Sequence, residues 1–363
     1  MTEEVRQAIA LTRLRGLTQT AALQLYRHYG SAAAVAEARQ ELEPKWQKAF
    51  DGWDEALRRA DAELSLCGQR GISAWPLADT DYPARLRECA DPPLVVYGLG
   101  TANLNRTHVI AVVGTRHISE YGKDICQKFC TELAQLVPDC LIVSGLAYGV
   151  DIHTHRACLA TGLETVGVLA HGLDRIYPAS HRDTAKAMAT CGGLLTEYTT
   201  GTNPDKGNFV RRNRIVAGLC DATVVVESAA HGGALITARL AQDYDREVFA
   251  FPGRVGDRYS EGCNALIRDN RAALITSAAD LANALGWQAA ERRCEPVQRE
   301  LFPELDALQQ RICDCLKKQE DIGLNRLAMA LDEPVQRLSS SLFDLEMMGM
   351  VRLLPGGRYR LLR

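Results

Sequence analysis

Seven short apolar runs constrain this chain more than any other feature: residues 108–114 (HVIAVVG), 140–145 (CLIVSG), 164–170 (ETVGVLA), 193–197 (GLLTE), 222–227 (ATVVVE), 247–253 (EVFAFPG) and 272–277 (AALITS). Runs that are apolar throughout suit strands buried on both faces. Amphipathic stretches lie between them, such as Ile125, Phe129, Leu133 and Leu136, which share one helical face. Strands alternating with helices predict a doubly wound, mostly parallel α/β sheet. In such sheets ligands gather at the carboxyl ends of the strands.

The length of 363 residues suits two or three domains. Residues 1–74 are rich in Ala, Leu, Arg and Gln, with Leu11, Leu14, Leu17, Leu23, Leu25 and Tyr26 spaced for a small helical bundle. Arg15-Gly16-Leu17 hints at a helix-hairpin-helix, but the second glycine of that hairpin is missing. The α/β region is expected over 75–286, and the polar, aperiodic stretch 287–303 reads as a linker. In 304–363, Leu305, Leu308, Ile312 and Leu316 mark one helix, Leu324, Leu327 and Leu331 a second, and Val335, Leu338, Leu342 and Leu345 a third. A hairpin around Pro355-Gly356-Gly357 follows, which completes a winged-helix pattern. This last region holds nine acidic and nine basic residues, so DNA reading and protein docking both remain open for it.

Composition narrows the function classes. A hydrophobic share of 47% and a charged share of 24% suit an ordinary globular protein, and no run approaches the roughly 18 consecutive apolar residues of a membrane span. The net charge of -3 gives no global attraction for a polyanion, so any such site must be a local patch. The start, MTEEVRQAIALTRLRG, lacks the apolar segment of a secretion signal, which predicts a cytoplasmic protein. The 12 cysteines form no Cys-x-x-Cys pair and are expected to be free thiols.

The strand ends carry the candidate site. They read Gly114-Thr115-Arg116, Ser144-Gly145-Leu146-Ala147-Tyr148-Gly149, His171-Gly172, Glu197, Glu227 followed by Gly232-Gly233, and Pro252-Gly253-Arg254. Small residues there let backbone amides and helix N-termini face a phosphate, although each glycine also serves a tight turn. Lys206-Gly207-Asn208-Phe209-Val210-Arg211-Arg212-Asn213-Arg214 precedes an apolar helical run from Ile215 to Cys220. Cations at a helix start oppose its dipole, so a bound polyanion would relieve them, with Phe209 offering a face to a base. Salt bridging of the same cations, with Phe209 in the core, is the alternative. Neither Gly-x-Gly-x-x-Gly nor a P-loop occurs, so no nucleotide cofactor is expected. His153 and His155, with His171 and His181, could ligate a metal, but two residues apart on a helix they diverge, and no metal is expected.

These motifs together resemble the DprA (Smf) family of bacterial DNA-processing proteins. The matching stretches are Tyr82-Pro83 with Leu86, Asp91-Pro92-Pro93, Val113 to Arg116, Ser144 to Asp151, His155, Gly172-Leu173-Asp174, Tyr177-Pro178, Phe209 with Arg212 to Ile215, Ala234 to Ala238, and Phe251-Pro252-Gly253. The resemblance implies an extended Rossmann-like parallel sheet core, an N-terminal helical domain of sterile-alpha-motif type and a C-terminal winged helix. It further implies a non-catalytic, homodimeric protein that binds single-stranded DNA and loads the RecA recombinase in natural transformation. Carried over by position, Arg116, Lys206, Phe209 and Arg212 would contact DNA, while Gly114, Ser144, Gly145 and Asn213 shape the pocket. Thr115, Arg211, Gly232 and Gly233 complete the expected DNA-binding set.

Val210 stands where the family usually has Pro, Gly232 and Ala234 where it has serines, His181 and Thr184 where it has Asn and Leu, and Asn270-Arg271 where Gly-Ala is typical. Losing two hydroxyls removes two phosphate donors, each worth about 0.5 to 1.5 kcal/mol. The expected mechanism seats phosphates on the Gly114–Arg116 and Ser144–Gly145 turns, with Lys206 and Arg212 neutralising them. Arg212→Ala or Phe209→Ala should then weaken binding by roughly 1 to 3 kcal/mol without unfolding. The competing class is a nucleotide-processing hydrolase in the same cleft, although Pro252-Gly253-Arg254-Val255-Gly256 lacks the Thr and Glu of the known phosphoribohydrolase signature.

Overall fold

The computed structural model describes residues 3–287, 305–318, 322–354 and 357–362. Two compact units divide the chain, Met1–Glu291 and Arg292–Arg363. Apart from Trp287, the expected linker 287–303 lies outside the described residues, as do Pro355 and Gly356 of the terminal turn.

The first unit is built on a nine-stranded sheet: β1 (Ser73–Pro76), β2 (Val95–Gly100), β3 (Val109–Val113), β4 (Leu141–Ser144), β5 (Thr165–Val168), β6 (Gly192–Thr196), β7 (Ala222–Val225), β8 (Glu247–Ala250) and β9 (Ala273–Leu274). Their order across the sheet is β1-β2-β6-β5-β4-β3-β7-β8-β9. All seven expected runs form parallel neighbours, from β6 through β5, β4, β3, β7 and β8 to β9. The two strands that the pattern did not predict, β1 and β2, add to the β6 edge in antiparallel fashion.

Central β3 shows why a continuous apolar run is needed. Val109, Ala111 and Val113 enter the core on one face, and Ile110 and Val112 enter the core on the other. Side chains alternate along a strand, so helices on both faces require apolar residues at every position. Helix Glu120–Leu136 covers the second face through Cys126, Phe129, Cys130 and Leu133. Helices Lys206–Gly218 and Gly233–Asp243 pack on the first through Ile215, Val216, Ala234, Ala238 and Ala241.

The N-terminal helices share that first core, because Ile9, Leu11, Leu23, Trp53 and Leu64 belong to the same apolar cluster as β3. Helix Glu3–Arg13 ends before Gly16, whose positive φ of 86° turns the chain, and Thr18 caps helix Gln19–Tyr29 through the Ala21 amide. Leu14, Leu23 and Leu25 are buried, so this segment packs as a core element.

The second unit carries helices Ala307–Lys318, Leu324–Leu331 and Val335–Met347, then antiparallel strands Val351–Leu354 and Arg358–Leu361. Ile322–Gly323 adds a third strand, and Ile312, Leu327, Leu338, Leu342 and Leu345 form its core. Three helices followed by a hairpin is the expected winged-helix order.

Candidate functional site

Strand order reverses at β3 and β7. From β3 the chain crosses to β4 over one face, and from β7 it crosses to β8 over the other. Diverging connections open a crevice at the carboxyl ends of the two strands. A cleft of about 810 Å³ opens there. Its lining includes Gly114, Thr115, Arg116, Gly145, Lys206, Phe209, Arg212, Asn213, Gly232 and Gly233, so ten of the expected residues converge. Ser144 and Arg211 lie outside the lining: Ser144 is fully buried with its Oγ donating to Val112 O at 2.7 Å, and Arg211 is exposed.

The local structure of the basic segment differs from the expectation. Helix Lys206–Gly218 begins at the first cation, so the arginines lie within the helix and only Lys206 occupies its first turn. Asp205 caps it by accepting from the Asn208 amide at 2.9 Å, which places a carboxylate beside Lys206 at the positive helix end. The dipole argument therefore applies to Lys206 alone.

Helical phase separates Lys206 from Arg212, and with Arg116 from the turn after β3 the cations fall into a rim and a floor. On the rim, the Arg116 guanidinium lies 5.3 Å from the centre of the Phe209 ring, and Tyr177 packs on the same ring at 5.7 Å and 54°. Arg116 and Lys206 are exposed, and among the described residues neither has an ion-pair partner. On the floor, Arg212 is only 3% exposed. It donates to Gly145 O at 2.5 Å and to Val168 O, which ties the ends of β4 and β5 together.

Gly145 has to be glycine there, since a Cβ would collide with the Arg212 guanidinium. Asp151 accepts from the Gly145 and Ala147 amides at 3.1 and 3.3 Å. Burial raises the Asp151 carboxyl above its usual range, opposed by the attraction of Arg212, and burial likewise lowers the Arg212 guanidinium. Arg212 thus lines the cleft from a buried position and is held through Nη1, so the expectation that its loss leaves the fold intact does not fit this geometry.

The expected phosphate seat changes for the same reason. The Thr115 amide donates to Glu227 O at 2.7 Å and the Thr115 hydroxyl accepts from the His117 amide at 3.1 Å, while the Gly145 amide serves Asp151. Donors already paired offer little to an anion. Helix Gly233–Asp243, by contrast, starts at Gly232 without a side-chain cap, and Gly232, Gly233 and Ala234 of its first turn line the cleft, although the Leu235 amide donates to Gly232 O at 3.1 Å. A Cβ at position 232 would collide with Ser228 Oγ, so the glycine keeps this turn close-packed.

Of the four candidate metal-binding histidines, His155, His171 and His181 are buried in the fold and His153 is half-buried. His155 Nδ1 lies 2.7 Å from Thr165 Oγ1, whose own hydrogen goes to Ile142 O, and burial pushes its imidazole down to about 3. His171 Nδ1 donates to Gly172 O at 2.9 Å and its Nε2 accepts from the Tyr177 amide, while His181 Nδ1 donates to Leu146 O at 2.9 Å. The cysteines of the described residues are free thiols, including Cys130 and Cys158 with sulfurs 3.7 Å apart. Of the other strand-end carboxylates, Glu197 pairs with buried Arg214, and Glu227 accepts from Ser119 N and Oγ.

Sequence reasoning left out several lining residues, among them His117, His231, Thr237, Arg258 and Tyr259. The last two follow the Pro252-Gly253 strand end and show no periodicity that would single them out.

Residues 73–286 match the family described as DNA recombination-mediator protein A, and residues 298–357 match the DprA winged helix domain. The chain belongs to the DprA (Smf) family. Protein Smf of Escherichia coli K12 is 34% identical, with 84% of this chain and 82% of that protein covered. Protein Smf of Synechocystis is 32% identical, with 78% of each covered. Among solved structures, DprA from Streptococcus pneumoniae is 30% identical and covers 78% of this chain and 98% of its own, with a TM-score of 0.64. DNA processing protein A from Helicobacter pylori, described for its unique single-stranded DNA binding mode, is 31% identical over 59% of this chain and 95% of its own, with a TM-score of 0.53. Both match a DprA fold with a Rossmann-like sheet, in agreement with the sheet order found here. Among the described residues, no helix is long and apolar enough to cross a membrane.

Proposed function

We propose that this chain is a cytoplasmic, non-catalytic protein that binds single-stranded DNA in the switch-point cleft, protects it and loads a RecA-type recombinase onto it, as a homodimer formed through the Rossmann-like region. The observation that carries this reading is the cluster of Tyr177, Phe209 and Arg116 on the cleft rim beside Lys206. Aromatic faces next to unpaired cations suit unstacked bases and their phosphates, and a duplex keeps its bases out of reach. The uncapped start of helix Gly233–Asp243 adds amide donors for a phosphate. The solved Helicobacter pylori relative supports the single-stranded ligand, and the family's description as a recombination mediator supports the recombinase partner.

A hydrolase in this cleft that used a carboxylate to move a proton would need one free to do so. The two that line it among the described residues, Asp151 and Asp205, are engaged with backbone amides. Fluorescence anisotropy with single-stranded and duplex oligonucleotides of equal length, at two salt concentrations, tests the binding. A salt-sensitive preference for the single strand is expected, and equal binding of both, or none at low salt, contradicts the reading. Recombinase filament growth on protein-coated single strands, with and without this protein, tests the loading step.

A further inference from the structure

A second cavity, of about 670 Å³, adjoins the cleft and shares Arg258 and Tyr259 with it. Ser119, Tyr121, Glu227, Pro252, Gly253 and Arg254 form much of the rest of its wall. Both volumes fall in the range of about 300 to 1,000 Å³ that small ligands occupy. On the reading that the cleft is the single-strand site, we infer that this second cavity takes the next nucleotide of the same strand, with its base against Tyr121 and Tyr259 and its phosphate at Arg254 and Arg258.

Continuity comes first. Arg116 of the rim cluster is followed directly by His117, whose ring stacks on Tyr259 at 6.0 Å and 22°. Arg258 in turn lies 5.7 Å from the centre of the Tyr259 ring. Two ring-and-guanidinium clusters, Phe209 with Arg116 and His117 with Tyr259 and Arg258, are therefore joined by the Arg116–His117 backbone, and aromatic rings of this kind stack on bases without regard to sequence.

Charge comes second. Arg254 and Arg258 are exposed on the loop between β8 and helix Glu261–Arg268, and among the described residues neither has an ion-pair partner. Glu227 also faces the cavity, but its carboxylate accepts from Ser119 N at 2.9 Å and from Ser119 Oγ, and it is only 4% exposed. Asp257 is exposed on the same loop and is the remaining acidic group of the wall. Two unpaired guanidiniums against one exposed carboxylate leave the cavity suited to an anion. Tyr121 is 50% exposed, with its hydroxyl donating to Pro252 O at 2.8 Å, so its ring is fixed in place with one side open. An aromatic held by its hydroxyl loses little freedom on binding, which suits it to stacking.

The test is single-strand affinity as a function of length, using oligothymidylates graded from a strand that fills only the cleft to one that spans both cavities. Wild-type protein, the double variant Arg254→Ala/Tyr121→Ala, and Phe209→Ala are compared by anisotropy. Arg254 and Tyr121 line the second cavity only. The double variant is expected to bind the short strand within about twofold of wild type and to lose the longer one by about tenfold. Its salt dependence for the longer strand should also become shallower by roughly 0.7 in log–log slope for each phosphate that is no longer neutralised.

A wild-type affinity that stops rising once the cleft is filled would overturn the inference. Equal losses on both strands, or on neither, would do the same. Phe209→Ala separates this inference from its premise, since unchanged binding of the short strand by that variant removes the cleft itself as the site.

Discussion

Lys206 and Arg212 belong to one helix and one basic run, yet they do opposite work. Lys206 opens the helix in solvent with no ion-pair partner among the described residues, and Arg212 lies beneath the cleft, holding the carbonyls that end β4 and β5. Arg214, on the same helix, is buried against Glu197. The rim is therefore available to a ligand, while the floor is part of the fold. Charge in a sequence does not distinguish these roles, but helical phase does.

The largest effect expected from this division is on the floor. Arg212→Ala leaves Gly145 O and Val168 O without their donor and the buried Asp151 without its countercharge, so it should cost about 3 to 5 kcal/mol in urea denaturation. Gly145→Ala drives a methyl group into that guanidinium and should cost about 1 to 3 kcal/mol in the same assay.

Acid should act on the floor in a similar way. His155 is neutral when folded and is held down to about 3, whereas the unfolded chain takes up its proton near 6.5. Between those values the unfolded state binds more protons, so stability falls as pH falls through this window, by about 2 kcal/mol for this group at pH 5. Denaturation midpoints for wild type and His155→Leu at pH 7 and pH 5 check this, and the variant should lose less on acidification.

Rim substitutions should leave stability alone. Phe209→Ala is expected to weaken single-strand binding by about 1 to 3 kcal/mol. Lys206→Ala should do least, making the salt dependence shallower by roughly 0.7.

Much of this arrangement is legible in the sequence because buried parallel strands need apolar residues at every position. Each of the seven runs contributes a strand, and the three leucine-marked helices of the C-terminal unit stand where their periodicity puts them. The missed strands follow from the same physics. Ser73–Pro76 ends in a proline, and Val95–Gly100 ends in the irregular Gly98-Leu99-Gly100, which interrupts any strand pattern. β1 is the edge strand, where a proline is tolerated, while β2 lies between β1 and β6 with its glycines at the end of the strand.

Ten of the twelve expected site residues line one cleft, since a doubly wound sheet brings its strand ends together whatever their separation in sequence. The chemistry each residue performs was less legible. Thr115 and Gly145 looked like phosphate donors, but their amides are paired to Glu227 O and to Asp151. Tertiary hydrogen bonding leaves no mark on the local pattern. Arg258 and Tyr259 escaped for a related reason, because they reach the cleft through a loop that no periodicity describes.

The division between rim and floor is tested most directly by measuring urea stability and single-strand affinity on the same preparations of Phe209→Ala and Arg212→Ala. Phe209→Ala should unfold at the wild-type midpoint and bind about tenfold or more weakly, while Arg212→Ala should unfold at markedly lower urea. A Phe209→Ala protein that binds as wild type does, or an Arg212→Ala protein as stable as wild type, would contradict it.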